Sequence, residues 1–246
     1  MNLIIAEEVA ERYPHLRIGV LIGKGVTVQR KTDELEKLKQ EKVAELRQKY
    51  DSDNLISNPS IAAWRRTYRS FGVKPKRYRP TAEALLRRLI KGEEIPIINT
   101  VVDSYLVVET EYLLPIGGYD LDRISGDIKL RVSPGGEAFQ PLGSTQGETT
   151  NEGEIIYSDN TRVLTRKWNF RDCDATKITL NTKTIGLFTE AAEEDTDTKI
   201  ISESLENLQS HIRKFCGGKT EVFIANVHDK LEWALLEEPK GKELEN

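Results

Sequence analysis

The texture of the chain changes near Asp127, and that change limits the fold more than any single motif does. Upstream, residues 32–50 are rich in Leu, Glu, Lys and Gln and lack Gly and Pro, which predicts a helix capped by Thr32 or Asp33. Its apolar stripe (Leu35, Leu38, Val43, Leu46) is thin, so it should cover the body rather than cross it. Further helices are expected over 61–71, over 82–91 between Thr81 and Gly92, and over 99–112, the last against the β preference of its valines. Leu16, Ile18, Val20 and Ile22 alternate and predict a strand with one buried side, while residues 3–6 read as a strand or a helix start. Downstream, strands are expected where Ile128, Leu130 and Val132 alternate, and over 138–142, 154–157, 162–167, 177–180 and 185–188, with a polar loop over 147–153. A helix over 199–216 should end at Gly217-Gly218, followed by a strand at Val222 and Ile224.

This order of blocks predicts an α+β fold with mixed β-sheets flanked by helices. The expected organisation is one unit over 1–236, in four parts. These are an N-terminal extension (1–60), a basic helical segment (61–92), a core (93–191), and a C-terminal helix and strand (192–236). A charged, disordered tail is expected over 237–246. At 246 residues and 38% hydrophobic, the chain can build a core. No apolar run reaches membrane-spanning length and the first ten residues do not read as a secretory signal, so a soluble, cytoplasmic protein without a membrane partner is expected.

Composition also removes several chemistries. Cys173 and Cys216 are the two cysteines, too few for a disulfide scaffold or a cysteine-rich zinc module, and the three histidines are scattered, so no metal and no cofactor is expected. No phosphate loop and no serine elbow occurs. Cys173 stands between Asp172 and Asp174, a setting that favours packing over thiolate chemistry.

The net charge of −4 conceals a strong asymmetry. Ten lysines and arginines fall between Ile61 and Lys91 against a single acid, Glu83, with Trp64, Tyr68, Phe71 and Tyr78 among them. Acid collects at Glu190, Glu193, Glu194, Asp195 and Asp197. Screening confines distant charges to about 10 Å, so a basic stretch attracts phosphates even on an acidic protein. The alternative is a solvated helix face paired with the acidic segment.

Residues 96–142 carry an ordered set of matches: Pro96-Ile97, Asn99, Val101-Val102-Asp103, Pro115-Ile116, Tyr119-Asp120-Leu121-Asp122, Ile124, Gly126, Ile128, Arg131 and Gly136-Glu137. The pattern resembles the B3/B4 domain, the tRNA-editing module of the phenylalanyl-tRNA synthetase beta subunit. A weaker match lies over 184–191, a threonine-led strand ending in an acid and alanine. The resemblance spans roughly 74–190 and implies a free-standing B3/B4-type domain with N-terminal helical additions. Free-standing relatives resemble trans-acting aminoacyl-tRNA deacylases, so the implied partner is the aminoacylated acceptor end of tRNA, with no DNA. Two departures stand out. Gly117 and Gly118 replace a histidine that usually follows the Pro-hydrophobic pair, and Arg171-Asp172-Cys173-Asp174 replaces a glycine-rich turn bearing a glutamate. They imply a pocket widened for a side chain other than tyrosine.

Such an ester is already activated, so a site needs to hold the ammonium, place a water and stabilise an oxyanion. The expected catalytic residues are Asp172, Asn169, Gly117 and Gly118, the glycines alternatively forming a tight turn. For substrate binding the candidates are Asn99 and Asp103, alternatively helix caps; Trp168 and Arg171, alternatively a salt-bridged turn on a core tryptophan; and Thr145, in a lid or a solvated loop. Arg65, Arg66, Arg69, Lys76, Arg77 and Arg79 would meet phosphates of the acceptor stem. Trp64, Tyr68 and Tyr78 would stack on unpaired bases or pack in the core. The rival expectation is an RNA-binding module of the same fold without chemistry.

Overall fold

A computed structural model describes residues 1–236; the expected tail lies outside the described residues. In chain order, β1 (Asn2–Ile5), α1 (Glu7–Arg12) and β2 (Arg17–Lys24) precede four helices, α2 (Asp33–Lys49), α3 (Pro59–Ser70), α4 (Thr81–Ile90) and α5 (Thr100–Tyr112). Then come β3 (Ile116–Asp120), β4 (Ile128–Pro134), β5 (Ala138–Phe139), β6 (Glu148–Thr149), β7 (Glu152–Ser158), β8 (Val163–Arg166), β9 (Arg171–Asp172) and β10 (Thr184–Ala191). The described part closes with α6 (Thr198–Cys216), β11 (Lys219–Asn226) and β12 (Glu232–Ala234).

The strands form a six-stranded sheet, β12-β1-β4-β7-β8-β9, a four-stranded sheet, β11-β2-β10-β3, and the hairpin β5-β6. This is the expected α+β architecture with mixed sheets: β1 runs parallel to β4 while the other ladders are antiparallel. One core lies between the four-stranded sheet and α2, α4, α5 and α6; a second lies between the two sheets.

β2 shows what sets this layering. It was expected to bury one side, yet it is buried on both. Ile18, Val20 and Ile22 face the core between the sheets, and Leu21 faces the helices. A central strand covered on both faces reads as a continuous apolar run, which residues 18–22 (IGVLI) are. Both β1 and β2 come from the expected N-terminal extension, and each is an interior strand of its sheet.

The helices follow their local signals. Thr32 Oγ1 accepts from the Leu35 amide at 3.3 Å, and the Asn58 side chain caps α3 with Pro59 at its first turn. Thr81 is the first residue of α4 rather than its cap: Pro80 holds the capping position and offers no side-chain hydrogen bond. α5 forms despite its valines because Asn99 Oδ1 accepts from the Val101 and Val102 amides at 3.1 and 3.0 Å and both of its faces are buried. α6 buries Ile201, Leu205, Leu208 and Ile212, each contributing roughly 1.5–3 kcal/mol.

Three further expectations differ from the structure. Residues 177–180 make no ladder; Thr182 Oγ1 accepts from the Thr179 amide at 2.9 Å, so a local turn replaces strand pairing. The loop over 147–153 contains β6 and the start of β7, because Glu148 and Thr149 pair with Phe139 and Ala138. Gly117 and Gly118 are not a turn: they lie in β3, registered against Phe188 and Leu187. α1 and β12, too short to leave a periodic signal, were not expected. Among the described residues no helix is long and apolar enough to cross a membrane.

Candidate functional site

A cavity of about 360 Å³ opens where the two sheets meet the helical layer. The four-stranded sheet contributes Gly117 and Tyr119 from β3 and Phe188 and Glu190 from β10. Tyr157, Thr165 and Asp172 come from the six-stranded sheet, Arg88 from α4 and Tyr105 from α5. The turn between β8 and β9 supplies Trp168, Asn169 and Phe170, and Arg171 follows at the rim.

That turn is backbone-strained. Lys167 and Trp168 have φ of 47° and 68°, a region that bulky residues rarely enter and that costs on the order of 1–3 kcal/mol each. The surroundings hold it. Glu154 accepts from Arg166 Nε and Nη2, both at 2.8 Å, and from the Lys167 amide at 3.0 Å. Trp168 is fully buried, edge-on to Trp64 and Tyr13 at 5.3 and 4.8 Å.

Two carboxylates face the cavity. Asp172 Oδ1 accepts from Thr165 Oγ1 at 2.6 Å, and Tyr119 Oη lies 2.5 Å from the same threonine oxygen. A hydroxyl has one proton, so when Asp172 is ionised Thr165 donates to it and Tyr119 donates to Thr165. Enclosure by protein pushes the Asp172 carboxyl up to about 6, against the lowering effect of Thr165. Its position is half-open to solvent through the cavity. Glu190 accepts from Tyr157 Oη, from Trp168 Nε1 at 3.1 Å and from Asn169 Nδ2 at 3.2 Å. Burial first, with a smaller contribution from the Asp172 charge, pushes Glu190 up to about 7. Behind them, Glu109 of α5 is fully buried with neither carboxyl oxygen hydrogen-bonded among the described residues, and burial holds it well above the usual carboxylate range.

Of the expected site residues, Gly117, Trp168, Asn169, Arg171 and Asp172 line this one cavity. A Cβ on Gly117 would meet nothing within 4 Å, so the missing side chain is part of the open volume. Gly118 points the other way: a Cβ there would lie 2.3 Å from Leu187 Cδ2 and 3.0 Å from the Gly186 carbonyl. It borders a smaller neighbouring cavity of about 130 Å³, also reached by Asp172. Asn169 has its amide committed at both ends, donating to Glu190 and accepting from Tyr68 Oη at 2.7 Å, so it ties Glu190 to α3.

Asn99 and Asp103 do not line the cavity. Asn99 caps α5 and donates to the Ile178 carbonyl at 3.2 Å. Asp103 accepts from the Ile98 amide and from Lys39 Nζ, both at 2.9 Å. Together they fix the segment from which Pro96 and Ile98 reach the cavity wall. Thr145 is exposed in the loop before β6, away from the lining.

The basic segment divides. Arg65 donates to both oxygens of the fully buried Glu83 at 2.7 and 2.9 Å, and Arg87 Nε reaches the same carboxylate at 2.8 Å. Arg79 approaches it at 3.9 Å. Arg66 pairs with Asp195 at 2.5 Å and Glu193 at 3.6 Å, the acidic-segment pairing that the sequence held open. Arg69, Lys74, Lys76 and Arg77 are exposed, and none enters an ion pair among the described residues. Trp64 and Tyr68 are buried and packed, so they present no face to a base; Tyr78 is half-buried.

Sequence reasoning missed Glu190, Thr165, Tyr119 and Tyr157 as a set. Glu190 had one signal, the acid at the end of the strand over 184–191, but it was counted with the acidic surface cluster.

The B3/4 domain family matches residues 63–217, a span that contains every residue lining the cavity. No curated protein matches the sequence. Among solved structures, the chain is similar to an N-terminal fragment of the phenylalanyl-tRNA synthetase beta-subunit from Pyrococcus horikoshii, with 14% identity and a TM-score of 0.46. The likeness covers 91% of this chain and 53% of that one, so the chain spans about half that fragment's length.

Proposed function

Because the chain belongs to the B3/4 domain family, we propose that its cavity receives the amino-acid end of an aminoacylated tRNA and that the protein hydrolyses the ester in trans. The observation that carries this reading is two carboxylates, Asp172 and Glu190, raised to about 6 and about 7 on the wall of one cavity. An enclosed negative wall suits the α-ammonium of an aminoacyl group, whose charge in turn favours the ionised acids.

Asp172 has the properties of a general base. Its Oδ1 is fixed by Thr165, and Oδ2 takes no hydrogen bond from the described residues. In the proposed step Asp172 takes a proton from water as the water oxygen bonds to the ester carbon. The carbon–ribose oxygen bond then breaks, and the proton passes to the leaving ribose oxygen. Glu190, held by its three donors, takes the ammonium. Gly117 leaves room for the acyl side chain.

A panel of misacylated tRNAs incubated with the protein tests this. At least one ester should be cleaved faster than in buffer, and Asp172→Ala should reduce cleavage without weakening tRNA binding. Equal loss of both removes its assigned role. If no ester is cleaved while tRNA still shifts in a gel, the protein is an RNA-binding module of the same fold. The exposed cations Arg69, Lys74, Lys76 and Arg77, without an ion pair among the described residues, favour that second reading.

A further inference from the structure

We propose that Tyr78 and Phe170 form a shelf at the cavity mouth on which the terminal base of a single-stranded RNA 3′ end stacks. The proposal rests on the reading above for its ligand and relocates the RNA contact. Two of the three α3 arginines that sequence pattern favoured, Arg65 and Arg66, are spent on Glu83, Glu193 and Asp195. The cations left over are Arg69 near the end of α3 and, in the loop after it, Lys74, Lys76 and Arg77, and that loop carries Tyr78.

The loop reaches the cavity through Tyr78. Its ring meets Phe170 edge to face, with centroids 5.3 Å apart and planes at 87°. Phe170 lines the cavity, so the pair links the basic loop to the wall that bears Asp172. Both rings are half-buried, which fixes them while leaving part of each to solvent. Cations surround them: Arg77 lies 5.2 Å from the Tyr78 centroid, and Lys167 Nζ lies 4.5 Å from Tyr78 and 5.6 Å from Phe170. Arg171, exposed, stands at the same rim.

Rigid aromatic faces among cations are what an unpaired nucleotide requires, because every base has a π-face and every linkage a phosphate. An acyl group seated against Asp172 and Glu190 leaves its ribose and base at this mouth. A duplex, whose bases are already stacked, gains nothing from such a shelf.

The test uses the full chain and a short single-stranded RNA carrying 2-aminopurine at its 3′ terminus, a base whose fluorescence falls when it stacks. Binding should quench it, and moving the 2-aminopurine to an internal position should remove most of the quench. Tyr78→Ala and Phe170→Ala should each weaken binding roughly 5- to 150-fold, the range for loss of one stacked base. Phe170→Tyr should restore it. Lys76→Gln with Arg77→Gln should weaken binding and flatten its salt dependence, a readout that does not depend on the rings. Quenching that is independent of label position, or ring variants that fold and bind as the parent does, overturns the shelf. Blunt duplex bound as tightly as the single strand also overturns it. The two proposals fail separately: ester cleavage unaffected by the ring variants removes the shelf alone, and terminal quenching without cleavage of any ester removes the hydrolase alone.

Discussion

At Asp172 and Glu190 the same burial that prepares the chemistry works against stability. A carboxyl with a raised pKa keeps its proton in the folded state over a range where the unfolded chain has lost it. Stability therefore falls as pH rises from the unfolded value through the folded one. For Glu190 that window runs from 4.5 to about 7, and for Asp172 from 3.8 to about 6. Above it the full cost is present, on the order of 3 kcal/mol for Glu190 and less for the partly solvated Asp172. Glu190→Gln should therefore raise the Tm near neutral pH and flatten its decline between about pH 4 and pH 7, while lowering ester cleavage. An unchanged slope in thermal melts across that range would remove Glu190 as its source. Catalysis should have the opposite dependence. Cleavage should rise as Asp172 ionises around pH 6, and Asp172→Asn should lie about 10²–10⁴-fold lower without that rise, measured by the pH profile of kcat/KM.

At the scale of elements, β3 and the β8–β9 turn decide what the cavity is. Neighbouring glycines on β3 point to opposite faces, as residues on a strand must. Gly117→Leu should leave the fold intact and abolish turnover by filling open volume, whereas Gly118→Ala should cost about 1–3 kcal/mol because it presses on Leu187 and the Gly186 carbonyl. Thermal melts paired with cleavage assays separate the two, and a Gly117→Leu protein that is fully active would place the acyl group elsewhere. The β8–β9 turn carries Trp168 at a positive φ, a strain offset by its complete burial and by the anchoring of Arg166 and Lys167 on Glu154. Helices α3 and α4 are joined by the opposite device, one buried acid shared among arginines.

Across the whole molecule, the chain's beginning is structurally central. β1 lies between β12 and β4, and β2 lies between β11 and β10, so residues before 25 complete both sheets. Deleting residues 1–5 would leave β12 without a ladder and β4 paired on one edge alone, and would uncover the core around Leu3 and Ile5. The expected result is loss of the cooperative melt by circular dichroism, well beyond the fraying that a peripheral extension would produce. A truncated chain that melts as the full one does would show that the six-stranded sheet does not depend on β1.

The sequence by itself determined helices α2 to α6, the caps at Thr32 and Asn99, the main strands, the α+β class and five residues of one cavity wall. These follow from local causes: periodicity, capping side chains, turn glycines and a motif whose members lie close in the chain. Only the tertiary structure decided which cations are free, which aromatics stay partly exposed, and which acids share a cavity. Arg65 and Arg77 look alike in sequence, but a buried Glu83 brought by another helix neutralises the first and leaves the second in water. Glu190 reads as a surface acid until β10 pairs in the middle of its sheet and carries it beneath Trp168 and Tyr157, where burial and three long-range donors give it its properties. Such effects depend on contacts between residues far apart in the chain, and no local pattern encodes them.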